Sequence, residues 1–228
     1  MQNRSKAISF LWFAAALFLF AARSASAKSS NAKAEFPRPV MDQPTSPTKG
    51  KEVAVVSGGC FWGVQAVFEH TKGVISATSG YAGGSADTAN YETVSSGGTS
   101  HAESVKIVYD PSEITYGQLL MIFFSVAHNP TELNKQGPDW GRQYRSSIFY
   151  ATPEQKQIAE AYIQQLNAAK VYSGKIVTQV VPLNGFYPAE KYHQDYLKHH
   201  PDSPYIVIND LPKLQELKKE FPELYREY

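Results

Sequence analysis

The sequence predicts a single domain of the α/β or α+β class, a mixed sheet with helices packed on it. Three observations carry this. A chain of 228 residues with 43% hydrophobic side chains can bury one good-sized core. Short β-branched or alternating runs take turns with longer stretches of helical period, the order that lays helices on a sheet. The connecting segments are long, and in a compact domain such loops usually carry function. No segment repeats at a fixed period.

At the N-terminus, Arg4 and Lys6 precede an apolar run from Ile8 to Ala22, and Ala25-Ser26-Ala27 supplies small residues at the cleavage spacing. Residues 1–27 therefore read as a secretory signal peptide, and the mature protein as periplasmic or secreted. The run is shorter than the ~20 apolar residues of a membrane span. An uncleaved anchor is the alternative, but no stable membrane association is expected. Cleavage after Ala27 would remove Arg4, Lys6 and Arg23 and turn the formal charge from +1 to −2. Residues 28–50 carry Pro37, Pro39, Pro44 and Pro47 among Ser, Thr, Lys and Asn, and read as a disordered or extended linker. The domain is expected over 51–228.

Val53–Val56 reads as a buried strand, ending in Ser57-Gly58-Gly59 before Cys60. A helical pattern follows from Phe61 to His70, then a strand over Val74–Tyr81 and a loop holding Gly83, Gly84, Gly97 and Gly98. Glu103–Tyr109 alternates, with Val105, Ile107 and Tyr109 on one face and Ser104 and Lys106 on the other: a half-buried strand. Thr115–Ala127 reads as a helix, His128–Gln143 as a polar loop and Arg145–Tyr150 as a strand. Thr152-Pro153-Glu154-Gln155 has the N-cap, first-turn proline and glutamine that open a helix running to Lys170. Ile176–Val181 reads as a strand, and Ala189–Lys198 and Pro212–Glu220 as helices.

Lys+Arg of 22 against Asp+Glu of 21 gives no electrostatic reason to expect nucleic acid or an anionic surface as partner. One cysteine cannot form an internal disulfide, so Cys60 is either a buried, inert residue or a free reactive thiol. Its position favours reactivity. At a strand-to-helix junction the first-turn N–H groups lack intrahelical partners and the dipole is positive, which predicts an acidified thiol. Without a CxxC pair there is no dithiol oxidoreductase. His101-Ala102-Glu103 has the HxE spacing of zinc deaminases but no PCxxC downstream. His193, His199 and His200 do not make HExxH and read as solvated helix-end residues. No metal or bound cofactor is expected. A Cys–His hydrolase through His101 or His128 stays open at this point.

Seven motifs then occur in order: GCFWG at Gly59–Gly63, GYAGG at Gly80–Gly84, HAE at His101–Glu103, VYDP at Val108–Pro111, HNPT at His128–Thr131, QGPDWGRQYRS at Gln136–Ser146 and FYPAEKYHQDYL at Phe186–Leu197. This set, spread over about residues 51–210, resembles the A-type methionine sulfoxide reductases. The resemblance implies an α+β fold, a two-layer sandwich of ferredoxin-like character. It implies that the Cys60 thiolate attacks a sulfoxide sulfur and becomes a sulfenic acid, giving methionine. Glu103 matches the family's acid, kept neutral by burial. Tyr91 and Tyr144 match hydroxyls aimed at the sulfoxide oxygen, Asp139 a supporting carboxylate, and Tyr196 a further pocket tyrosine. Phe61 and Trp62 match the pocket for the methyl on sulfur. Many relatives carry further cysteines that resolve the sulfenic acid, and Tyr205 and its neighbours stand where one would be expected. Recycling is therefore expected to need an external thiol, such as a thioredoxin-like protein, acting on a monomer.

Overall fold

The computed structural model describes residues 35–227; the proposed signal peptide, 1–27, lies outside them. The fold is α+β. In chain order the elements are β1 (Glu52–Gly58), α1 (Phe61–Glu69), β2 (Val74–Ala82), α2 (Tyr91–Ser95), β3 (Ala102–Tyr109) and α3 (Tyr116–Ile122). Then come the two-residue strands β4 (Lys135–Gln136) and β5 (Asp139–Trp140), β6 (Ser146–Tyr150), α4 (Pro153–Ala168), β7 (Gln179–Pro182), β8 (Phe186–Pro188), α5 (Tyr196–His199) and α6 (Leu211–Glu220). Six strands form one sheet in the order β7-β6-β1-β3-β2-β8, and β4 pairs with β5 as a separate hairpin. Every pairing in the large sheet is antiparallel except β6 with β7.

Side chains alternate across a strand, and β1 shows how the two faces are used. Ala54 and Val56 join the main core with Val105, Ile107 and Ile148 of neighbouring strands and Val64, Val67, Leu119 and Ile158 of α1, α3 and α4. Val55 points the other way, into a smaller cluster with Ala82, Ala102 and Phe149, beside Leu183 and Phe186. Both faces are thus covered around the centre, so β3 is not the half-buried strand its alternation predicts. Ser104, expected outward, is 1% exposed, and its hydroxyl lies 2.7 Å from that of Ser57.

The helices begin where local chemistry satisfies their free N–H groups. Thr115 and Gln118 make a reciprocal capping box at α3, and Thr152 accepts from Gln155 N–H at α4, which carries proline in its first turn. Three expectations are corrected. Ala189–Lys198 is not one helix: the turn Lys191–His193 is followed by Asp195 at φ 53°, a left-handed residue that stops propagation before α5. Residues 83–98 and 128–143, expected as loops, contain α2 and the β4–β5 hairpin. Glu35–Gly50, expected as disordered or extended, has no helix or strand but is bound to the domain. Asp42 accepts from Gly117 N–H at 2.8 Å and from the Thr115 hydroxyl, Tyr162 donates to the Pro37 carbonyl at 2.6 Å, and Phe36 packs on the core. A Pro-rich segment loses little entropy on ordering, so a few such bonds suffice to hold it.

Candidate active site

β1 is paired on both edges, which fixes where its C-terminal end delivers the chain. Gly59 turns with φ 92°, and a Cβ there would meet the Gln136 side chain at 2.5 Å, so both conformation and space demand glycine. Cys60 then caps α1 and is 8% exposed. Gly63, in the first turn of α1, makes room for α6: a Cβ there would lie 2.0 Å from Asp210 Oδ1 and 2.6 Å from Lys213 Nζ.

Glu103 comes from β3, which lies beside β1 in the middle of the sheet, and is 2% exposed. Its Oε2 accepts from the Phe61 backbone N–H at 3.0 Å, tying the carboxyl to the first turn of the cysteine's helix. Burial pushes its pKa to about 8, opposed by the Phe61 N–H and reinforced by Asp139. Glu103 is therefore mostly neutral at pH 7.

The thiol corrects an expectation. Burial raises Cys60 well above its usual range, and Glu103 and Asp210 add to that effect. The Trp62 N–H and Lys213 oppose it without prevailing. The acidifying helix end is weaker than desolvation of the buried sulfur, and one of its N–H groups is already spent on Glu103. Cys60 rests as a neutral thiol.

Cys60, Phe61, Trp62, Tyr91, Glu103, Asp139, Tyr144 and Tyr205 line one cavity of about 210 Å³. Seven of the eight residues singled out in the sequence meet there. The exception is Tyr196, which stacks flat on the Trp62 ring, with centroids 3.7 Å apart and planes 7° off parallel, and so backs the pocket wall. Tyr205 takes the place in the cavity. Its ring meets Trp62 edge-on and its hydroxyl donates to Asp139 Oδ2 at 2.5 Å. Burial raises Asp139, with the Tyr205 hydroxyl and Lys213 pulling it down. Tyr144 is raised by burial and then by Glu103, and Tyr91 likewise. Both therefore keep their phenolic protons as donors.

Four residues support the site in ways the sequence reading did not assign. Glu190 accepts from Tyr91 N–H at 2.8 Å and the Tyr81 hydroxyl at 2.9 Å, which sets the start of α2 and with it Tyr91. His193 is 2% exposed rather than solvated. Its Nδ1 accepts from Trp62 Nε1 at 3.2 Å, and its ring packs against Phe61 and Tyr91 at 5.0 and 4.4 Å. Asp210 and Lys213 form a 3.0 Å ion pair beneath α1. Only the FYPAEKYH stretch signalled the first two.

His101 and His128 do not serve the thiol. His101 Nε2 lies 2.9 Å from the Ser85 carbonyl, and both ring nitrogens of His128 are engaged, by the Phe123 carbonyl and the Ser146 hydroxyl. Burial takes His128 down to about 3. Neither histidine lines a cavity with Cys60, so the hydrolase alternative has no histidine base there. Among the described residues no group of three His, Cys, Asp or Glu side chains is placed to hold a metal, and no helix is long and apolar enough to cross a membrane.

Fold and site together define a thiol enzyme in which one cysteine faces one neutral carboxylic acid inside an aromatic pocket. Residues 52–225 match the family described as peptide methionine sulfoxide reductase. A peptide methionine sulfoxide reductase of Mesorhizobium japonicum is 60% identical over 187 residues, covering 82% of this chain and 95% of its own. Solved structures are similar too. Yeast Mxr1 in reduced form has a TM-score of 0.62 and 31% identity, over 72% of this chain and 92% of its own. Methionine sulfoxide reductase A of Corynebacterium diphtheriae has a TM-score of 0.60 and 36% identity, over 73% and 87%. The chain belongs to the peptide methionine sulfoxide reductase family and is an oxidoreductase of that class.

Proposed function

We propose that this enzyme reduces the S epimer of methionine sulfoxide, in proteins or free, by oxygen transfer to Cys60. The observation that carries the reading is the shared cavity: a thiol, a neutral carboxyl and two tyrosines enclosed by Phe61 and Trp62. The aromatic wall takes the methyl on sulfur, and the oxygen faces Glu103, Tyr91 and Tyr144. As Cys60 Sγ attacks, the sulfoxide S–O bond breaks and a Cys60 S–O bond forms. Glu103 protonates the oxygen while the thiol proton replenishes Glu103. The sulfide leaves as methionine and Cys60 is left as sulfenic acid. Tyrosine hydroxyls steady charge developing on oxygen in a dry site. Fixing methyl, oxygen and nucleophile at three points selects one epimer.

The strand order β6-β1-β3-β2, with α1 and α3 as crossovers, supports the ferredoxin-like two-layer reading of the central sheet. The charged, apolar and small-residue segments of residues 1–27 support export to the periplasm or beyond. The single cysteine supports recycling by an external thiol, a thioredoxin-like protein or a small molecule.

The test is reduced protein mixed with excess sulfoxide and no reductant. The S epimer should release one methionine per chain, with Cys60 gaining one oxygen by mass spectrometry, and Cys60→Ser should release none. Equal consumption of both epimers, or turnover above a tenth of wild type in Cys60→Ser, would overturn the assignment.

A further inference from the structure

Cys60 also lines a second opening, of about 90 Å³, on the other side of the Tyr205–Asp139 hydrogen bond. The two cavities share only Cys60, Asp139 and Tyr205, so that hydrogen-bonded pair partitions them. Glu103, Tyr91 and Tyr144 line the first alone, whereas Asn209 and Lys213 line the second alone. Lys213 reaches the opening with 18% of its side chain exposed, while its partner Asp210 is 0% exposed behind it. An incoming molecule thus meets the ammonium and not its Asp210 partner, and the Asp139 carboxyl that also lines the opening is engaged by the Tyr205 hydroxyl.

We infer that the second opening is the entry for the reducing thiol, and that it favours small thiols carrying an additional negative charge. This rests on the functional reading above, because it concerns the sulfenic acid that reading produces. Displacement at a divalent sulfur needs the nucleophile opposite the leaving group. The Cys60 oxygen is delivered from the Glu103 side and leaves there as water, taking a proton from Glu103. The thiolate must therefore approach from the far side, where Lys213 stands. A thiolate sulfur forms a bond to Cys60 Sγ as the S–O bond breaks, giving a mixed disulfide and water. A second thiol then attacks the outer sulfur, releasing Cys60 reduced and the reductant as its disulfide. Substrate and reductant would then use different doors to one sulfur, with Lys213 a positioning residue for the second.

The test separates the half-reactions. Protein carried to the sulfenic acid by S-sulfoxide is mixed with mercaptoethanesulfonate or with cysteamine at equal thiolate concentration, and loss of the sulfenic acid is followed by stopped flow. Lys213→Met should slow mercaptoethanesulfonate about ten-fold, the low end of electrostatic steering, and cysteamine by less than two-fold. Lys213→Arg should restore most of the rate. Because Lys213→Met strands a buried carboxylate, Asp210→Asn with Lys213→Met is the paired variant and should show the same selectivity. Asn209→Phe, which fills the opening, should slow both thiols while leaving the methionine burst intact. Equal slowing of both thiols by Lys213→Met and by the paired variant, or unchanged recycling in Asn209→Phe, overturns the inference. Loss of the burst in wild type overturns the functional reading instead.

Discussion

Replacing Glu103 with glutamine should change how stability depends on pH, by an amount the structure sets. In the unfolded chain this carboxyl ionises at its ordinary 4.5, but in the fold only at about 8. Between those values the unfolded state has lost a proton that the folded state keeps. Stability therefore falls as pH rises from 4.5 to 8 and levels off beyond. At 1.36 kcal/mol per pH unit, wild type should lose roughly 3 kcal/mol from this group between pH 5 and pH 8. Glu103→Gln keeps an oxygen for the Phe61 N–H bond and has no proton to lose, so it should not show that loss. Urea unfolding at the two pH values, followed by subtraction of the variant's change from the wild type's, isolates the group from all others. Parallel pH profiles for the two proteins would refute the argument that burial holds this carboxyl neutral.

The same carboxyl should set the rate. Glu103→Gln is expected to lower sulfoxide reduction by about 10²–10⁴-fold near pH 6.5, the usual worth of a general acid, and the wild-type rate should fall as pH rises through about 8; a flat profile to pH 9 would remove Glu103 from the step. Iodoacetamide should alkylate resting Cys60 more slowly at pH 7 than it does a free thiol, with the rate still climbing above pH 9; a plateau from pH 7 upward would mean a pre-formed thiolate. Trp62→Ala removes apolar contact with the methyl group and the ring that Tyr196 and Tyr205 pack against, and should raise KM more than it lowers kcat; a change confined to kcat would contradict the pocket role.

The parts of this protein legible in its sequence are those fixed by local pattern. β1, α1 and α4 announce themselves through β-branched runs, the glycines before Cys60, and the Thr152–Pro153 start. Residues whose places depend on distant partners were not legible. Asp195 in a left-handed conformation and the Glu190 carboxylate that holds Tyr91 depend on contacts made only after folding. Tyr205 lines the cavity where Tyr196 was expected, because the turn between them decides which ring faces inward. The cysteine's acidity was misjudged for a physical reason: a helix end is visible in sequence, whereas complete burial of the thiol is not.

Dryness is what joins the two perturbed groups. Cys60 and Glu103 face one small cavity, burial disfavours charge on both, and the Glu103 carboxyl adds to the cost of charging Cys60. The resting site therefore holds a neutral thiol beside a neutral acid. Of the two, the carboxyl has the lower threshold and ionises first, so a free thiolate is not stored there. That suits the proposed reaction, whose reactants and products are all uncharged: the thiol proton and the acid proton would move as oxygen changes sulfur, and charge would separate only in the transition state. On the proposed function, hydroxyls that meet the oxygen act at that moment alone, so Tyr91 and Tyr144 would contribute to rate rather than to resting affinity. A site with a permanent thiolate would react faster with any passing oxidant. A neutral resting thiol reacts slowly instead, and the proposed step speeds it when a sulfoxide oxygen is present to take the proton.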